Sequence, residues 1–417
     1  RLESAGDEAR FRVIDRFPEE RKEGGSEADG FRYRVTDALV EAIGRRDWSR
    51  AASALANQEE LAEPDRRLLQ GYVAYRQHKW EEARTYLAAA AGSSGDLTDY
   101  AAFYAARAAL KTDDPHRAVL SAAKVGPDSR LYGDALDLLA RAHRQADTST
   151  DRDRARDVMA VYLKHFPSGE HARPMHLWLA ESLLKKEAYE QAAEHLWTLR
   201  RRYPLSSAAD RAASLLEEYR DSFPEDLRDP IDSPPTDVVL ARFRALYDAH
   251  ESRDLIDQIA EPLDGWTPGT RQRCRGLYWM AKSHTKLRKH EEALPWYQRV
   301  LDECSGIPPY EKKALYMGGK SAWNAGQREQ ALDHFETLWS TFDDHSYADD
   351  VMYFAARIYR EMDRLAEAEA LLAKQVERYP TGDMADNAHW LRLRRMIAEE
   401  EWRAVVDYVD SLEQTGE

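Results

Sequence analysis

The chain has only two cysteines, no long apolar run and fewer basic than acidic side chains, and each shortage removes a class of protein. Two cysteines cannot build a disulfide-rich scaffold or a four-cysteine zinc site, which leaves at most one bridge. No apolar run approaches the roughly 18 residues that cross a bilayer as a helix. Lys and Arg number 60 against 75 Asp and Glu, a formal charge of −15. That balance repels a phosphate backbone and argues against nucleic acid as the main partner. The short basic runs Arg200, Arg201, Arg202 and Arg392, Arg394, Arg395 read as solvated helix faces. At 43% hydrophobic and 32% charged residues the 417-residue chain is too apolar for a disordered polymer and should fold.

Such a length suits two or three ordinary domains or one elongated repeat array, and periodicity decides between them. The first residue is Arg1 rather than Met, as in a processed, trimmed or fragmentary chain. Residues 1–36 are strongly charged and carry Gly24, Gly25 and Gly30, so they read as a mobile polar leader.

Beyond them a small residue recurs near the start of every second helix: Ala51, Ala83, Ala118, Ala155, Ala192, Ala293, Ala331, Ala368 and Ala404. The spacings are 32, 35, 37, 37, 101, 38, 37 and 36, and a period near 36 is that of a helix-hairpin repeat. Four residues after each anchor stand Leu55, Leu87, Ala122, Met159, Leu196, Tyr297, Phe335, Leu372 and Tyr408, all apolar, as a buried i, i+4 neighbour should be. Twelve residues before, six of the nine units have Gly71, Ala106, Ala180, Ala281, Gly319 and Ala356, small enough for two helices to approach. This matches the tetratricopeptide pattern, in which a small residue of helix A faces an alanine of helix B.

One unit shows why such a chain must stack. Val351, Phe354, Ala355, Ile358, Tyr359 and Met362 make one apolar stripe, and Ala368, Leu371, Leu372, Val376 and Tyr379 make a second. One hairpin cannot bury both, so each must pack on the next. The jump of 101 contains Pro224, Pro230, Pro234 and Pro235, a density that should interrupt helix over 221–236. After it, Val238, Leu240, Phe243, Leu246 and Tyr247, then Leu255, Ile256 and Ile259, read as a shorter, irregular hairpin. The expected fold class is all-α: two arms of a repeat superhelix, 37–220 and 237–417, joined by a proline elbow.

Several units end in an aromatic residue and a small-polar turn: Phe166-Pro167-Ser168-Gly169, Tyr203-Pro204-Leu205-Ser206 and Tyr379-Pro380-Thr381-Gly382. With Leu277-Tyr278-Trp279-Met280-Ala281, Lys313-Ala314-Leu315-Tyr316 and Ser346-Tyr347-Ala348-Asp349-Asp350, the second arm resembles the superhelical domain of soluble lytic murein transglycosylases. The resemblance covers about 237–412 and reaches the first arm by architecture alone. It implies a U- or ring-shaped periplasmic protein that handles peptidoglycan, positioning glycan or envelope partner proteins for a lysozyme-like catalytic domain or subunit. The Glu-Ser pairs Glu3-Ser4, Glu181-Ser182 and Glu251-Ser252 lack the Gly-Leu-Met-Gln-like stretch that follows the catalytic glutamate in that family. No catalytic residue is carried over. The alternative is a stand-alone tetratricopeptide scaffold that binds peptides or proteins in the bacterial envelope.

Other chemistry is not encoded in recognisable form. His165, His171 and His176 lie six and five apart, are interrupted by Pro167 and Pro174, and do not reproduce a His-Glu-x-x-His site. No nucleophile elbow, phosphate loop or dinucleotide fingerprint occurs, and no cofactor or metal is expected. Gly318-Gly319 reads as close helix packing. Trp178, Trp279, Trp296, Trp339 and Tyr353 fall inside repeat helices and read as packing rather than sugar-stacking groups, with a minority of the 11 Trp and 21 Tyr left to line a binding surface.

Cys274 and Cys304 fall at the two ends of one antiparallel hairpin that such a fold would bring together, and the periplasm implied by the resemblance would oxidise a suitable pair. Two unpaired, half-buried thiols acting as small apolar residues are the other reading.

Overall fold

The computed structural model describes residues 36–58, 61–93 and 97–415, so the expected leader lies outside them except for Thr36. Among these residues the structure is α-helical, with one 3₁₀ turn at Arg220–Ser222 and no strand. The fold is all-α and built of tetratricopeptide-like helix hairpins. Each hairpin consists of a helix A followed by a helix B.

The chain forms two compact units, one up to His195 and one from Leu196. The first contains α1 (Asp37–Gly44) with α2 (Trp48–Ala56), α3 (Glu63–Arg76) with α4 (Trp80–Ala90), α5 (Thr98–Lys111) with α6 (Pro115–Ala122), α7 (Tyr132–Ala146) with α8 (Ser149–His165), and α9 (Ala172–Leu184). Helix α10 (Tyr189–Arg202) carries the division, and α11 (Ser207–Glu218) and α12 (Glu225–Asp232) follow. The second unit then has α13 (Thr236–Asp248) with α14 (Ser252–Gly265), α15 (Arg271–Lys286) with α16 (His290–Glu303), α17 (Pro308–Asn324) with α18 (Arg328–Thr341), α19 (Tyr347–Glu361) with α20 (Leu365–Arg378), and α21 (Ala385–Ala398) with α22 (Trp402–Thr415).

The turn between A and B is what keeps the register. Two residues before each helix B the backbone is left-handed: Arg46, His78, Asp113, Asp147, Glu187, His250, Arg288, Gly326, Asp363 and Glu400. In nine of the ten the next amide reaches back to a carbonyl five residues earlier, as from Lys79 to Ala74 at 2.9 Å and from Glu401 to Met396 at 2.9 Å, while at Asp147 the turn residue's own amide bonds His143 at 3.3 Å. This is a Schellman closure, which satisfies the last carbonyls of helix A and starts the return. Only Gly326 adopts that conformation without a Cβ penalty, so the other nine turns are held by the packing around them.

Burial repeats with the turn. Seven residues after the first of helix B, Leu55, Leu87, Ala122, Leu196, Ile259, Tyr297, Phe335 and Leu372 are all at most 3% exposed; α8, whose anchor Ala155 lies six rather than three residues in, has half-buried Arg156 there instead. A Cβ placed on Gly71 would sit 2.5 Å from Leu87 Cγ in its own hairpin, and one on Gly318 would sit 3.3 Å from Tyr297 Cβ in the hairpin before. Gly319 is likewise closed by the Phe335 ring. The seventh residue of B thus fills the space between its own helix A and the next one, and the Gly318-Gly319 pair marks that approach.

Four details differ from the sequence reading. Residues 236–265 form two full helices of 13 and 14 residues rather than a short irregular hairpin. The segment 221–236 is broken at Phe223-Pro224 and Ser233–Pro235, yet α12 forms between the breaks with Pro230 inside it; the sixth position of an eight-residue helix loses only one or two intrahelical bonds to a proline. The division into compact units falls within α10, ahead of that segment. In the last hairpin Val405, not Ala404, occupies the position of Ala293, Ala331 and Ala368, three residues into helix B.

The Cys274–Cys304 disulfide is formed, with Cα atoms 5.8 Å apart and both residues fully buried. It joins the first turn of α15 to the residue after α16, so the bond ties the open end of one hairpin.

Candidate functional site

The left-handed turn residue gives an origin from which every helix A can be numbered. Six residues before it the second unit carries Arg244, Lys282, Lys320, Arg357 and Arg394, one cation on each of α13, α15, α17, α19 and α21. Each follows directly on the position that packs against helix B, so it emerges about 100° round the helix from the buried stripe. Lys282 and Lys320 are half-buried and the three arginines exposed. Four residues earlier, on the same face, stand Leu240, Tyr278, Tyr316, Tyr353 and Trp390. The result is a cation row beside a mainly aromatic row.

Most of these cations lack acidic partners. Arg244 meets Asp248 at 3.5 Å; Lys282, Lys320, Arg357 and Arg394 have no ion pair among the described residues. Lys282 Nζ lies 3.3 Å from the Met317 thioether, Lys320 lies 5.1 and 5.0 Å from the Tyr316 and Phe354 ring centres, and Arg357 stacks 4.9 Å over Trp323. Burial, together with repulsion from Lys286 and Lys320, holds the Lys282 amine below its ordinary pKa. The Asp350 carboxylate accepts from Tyr316 Oη at 3.3 Å. Burial and the Asp349 charge push its pKa up, while the Tyr316 hydrogen bond and the Lys320 charge pull it down.

The aromatic row is held by its neighbours. Tyr316 stacks on Tyr347 with ring centres 4.3 Å apart, and Tyr278 packs on Tyr297 and Tyr310 at 6.5 and 6.4 Å. Burial pushes the Tyr278 and Tyr316 hydroxyls well above the usual phenol range. Both therefore stay neutral, and Tyr316 keeps the proton it donates to Asp350. Trp390 is the open member, 56% exposed. The first unit has Val40, Tyr72, Arg107, Arg141 and Glu181 at the register of the cations, with no consistent sign.

The residues singled out from sequence go elsewhere. His171 bonds Asp134 at 3.2 Å, His176 meets His195 at 2.9 Å, and His165 packs edge-on against Tyr132. Among the described residues no three His, Cys, Asp or Glu side chains converge as metal ligands. Trp279 is buried, and Trp178, Trp296 and Trp339 are half-buried, in keeping with packing roles, whereas Tyr353, also half-buried, stands in the aromatic row. The basic runs are not simply solvated: Arg200 lies 5.0 Å from the Trp197 ring, while Arg392 and Arg395 bind Glu369. The cation row escaped the sequence reading although Ala281-Lys282, Gly319-Lys320 and Ala356-Arg357 carry it beside small residues already aligned. The signal was the residue after each small one.

No protein-family model matches the chain, and no curated protein matches it. Among solved structures it is similar to YrrB, a tetratricopeptide protein described as having an unusual peptide-binding site, at 18% identity and TM-score 0.33, over 54% of this chain and 95% of that one. It is similar to the Naa15/Naa10 structure bound to HypK-THB at 14% identity and TM-score 0.42, over 89% and 63%. A third likeness is to the C-terminal part of a tetratricopeptide repeat-containing protein from Cytophaga hutchinsonii, at 12% identity and TM-score 0.32, over 69% and 98%. Nothing in these links the chain to lytic transglycosylases. Among the described residues no helix is long and apolar enough to cross a membrane.

Proposed function

We propose that the chain is a repeat scaffold that binds acidic polypeptide segments along the helix A face of its second unit. The observation that carries this reading is the row Arg244, Lys282, Lys320, Arg357 and Arg394, four of whose members have no ion pair among the described residues, in a chain of net charge −15. Holding half-buried lysines without counter-ions costs folding free energy, and an incoming carboxylate offsets that cost. The tyrosines and Trp390 beside the row suit the aliphatic and aromatic side chains of such a segment. The negative remainder of the surface repels acidic ligands that miss the row, which favours one binding register.

The experiment is fluorescence anisotropy with an extended peptide of alternating Glu and Leu against its Gln counterpart. The Glu peptide should bind more tightly, with an affinity that falls as salt rises; equal binding of the two peptides would remove the electrostatic basis of the proposal. Soluble peptidoglycan fragments form a second arm, because their stem peptides carry carboxylates and the exposed Trp390 indole next to Arg394 could stack on a sugar. An oxidising compartment such as the periplasm belongs to the same proposal, supported by the Cys274–Cys304 bond.

A further inference from the structure

Two neighbouring A helices carry cations at double density. Seven residues ahead of Lys282 and Lys320, α15 has Arg275 and α17 has Lys313. Seven residues are nearly two turns, so each pair lines up on one helix face with Tyr278 or Tyr316 between its members. On either side the sign at the register of Arg275 and Lys313 reverses: α13 has Asp237, paired with Arg201 at 2.5 Å, and α19 has Asp350. Arg275, Lys282, Lys313 and Lys320 have no ion pair among the described residues.

The two helices are in direct contact. Arg275 Nε donates to Tyr310 Oη at 3.3 Å, Lys282 Nζ lies 3.3 Å from Met317 Sδ, and the Thr285 and Ser321 hydroxyls meet at 3.1 Å. Helices packed in this way lie about 8–10 Å apart, and seven residues rise about 10 Å. The four cations therefore stem from the corners of a square about 10 Å on a side. Their long side chains close over it, since Lys313 Nζ lies 5.7 Å from the centre of the Tyr278 ring. The Tyr278 hydroxyl stays protonated and has no hydrogen-bond partner among the described residues. The square thus offers ammonium, guanidinium and phenol donors, with Asp350 at its edge engaged by Tyr316.

A segment that follows the cation row crosses the A helices in turn. Arg275 and Lys313 are displaced from that path along the helix axes, so they are not further steps on it and serve one position of the segment. One carboxylate carries a single charge, whereas a phosphorylated side chain carries nearly two and three strong acceptor oxygens. We propose that Arg275, Tyr278, Lys282, Lys313 and Lys320 form a phosphate subsite, which takes a phosphorylated serine or threonine of the bound segment. The proposal rests on the acidic-segment reading and adds a preferred group at one position of the ligand.

The test is fluorescence anisotropy of the full chain with the Glu and Leu peptide and with a set in which one Glu at a time is replaced by phosphoserine. At one position phosphoserine should bind more than about fivefold tighter than the Glu parent, and Arg275→Met/Lys313→Met should cut that advantage below about twofold. If the double variant does not fold, Lys313→Met alone, at an exposed residue, should at least halve the advantage. No gain at any position, an equal gain at every position, or a gain that survives these substitutions overturns the proposal. A Glu parent that binds without any phosphoserine gain removes this subsite and leaves the acidic-segment reading standing; no binding by any of the peptides removes both.

Discussion

Lys286 stands 3.8 Å from the centre of the Tyr247 ring in the hairpin before it, and donates to the carbonyl of the same tyrosine at 3.0 Å. One ammonium thus ties two consecutive A helices, while Lys282, one turn earlier, is partly desolvated by burial and repelled by Lys286 and Lys320. Opposite effects on stability follow for two neighbouring lysines. Lys286→Met should cost about 1–2 kcal/mol, the worth of a charged hydrogen bond and a cation–π contact. Lys282→Met should leave stability unchanged or raise it, because a half-buried cation without a counter-ion is replaced by an apolar chain of similar length. Urea unfolding of the two variants checks the contrast.

Helix packing at Gly319 gives a second expectation. Alanine is the better helix former by about 1 kcal/mol, but at Gly319 its methyl would meet the Phe335 ring, and overpacking costs about 1–3 kcal/mol. Gly319→Ala should therefore destabilise on balance. Gly265, at the end of α14, has nothing within 4 Å of an added Cβ, and Gly265→Ala should be neutral or stabilising. Thermal midpoints of the pair decide whether close approach or propensity dominates.

The disulfide closes a loop with a sequence separation of 30, for which the chain-entropy relation gives about 3.6 kcal/mol. Removing it with Cys304→Ser should lower stability by about 2–4 kcal/mol. Wild type in reductant should match the variant, and wild type under oxidising conditions should exceed both. Equal stability of oxidised and reduced protein would mean that the hairpin end needs no tie.

Acid should weaken the first unit through His195. Burial holds its pKa below the ordinary value, so below about pH 6.5 the unfolded chain binds a proton that the folded chain refuses. Stability then falls as the pH drops through the depressed folded value. His171 acts oppositely: its bond to Asp134 raises its pKa, giving stability that is complete below about pH 6.5 and lost as pH rises through the folded value. Each slope is at most about 1.4 kcal/mol per pH unit. His195→Gln should flatten the acid limb and His171→Gln the neutral one, read by denaturant midpoints from pH 5 to 8.

The hairpins were legible because their physics is local. Small residues at a 36-residue spacing fix both where A meets B and which stripes are buried, and the same hairpin geometry brought Cys274 and Cys304 together while leaving open whether they bond. What the sequence hid had two causes. The turn residue is left-handed in every hairpin but chemically varied, from Arg46 to Glu400, so no composition signal marks it. Without that origin the last anchor slips from Val405 to Ala404. The cation row was hidden by abundance: among 60 Lys and Arg, five at one register stand out only once the turns supply the alignment.

The central claim is that the helix A face of the second unit recognises carboxylates, and the most direct measurement is the affinity of an acidic peptide for the wild type and for Lys282→Met/Lys320→Met. Removing two cations should weaken the Glu peptide about 30- to 150-fold, at roughly 1–1.5 kcal/mol per charged contact. It should also reduce the salt dependence, leave the Gln peptide unaffected and keep the thermal midpoint at or above that of the wild type. Equal affinity of wild type and variant for the Glu peptide, with the variant folded, would contradict the account.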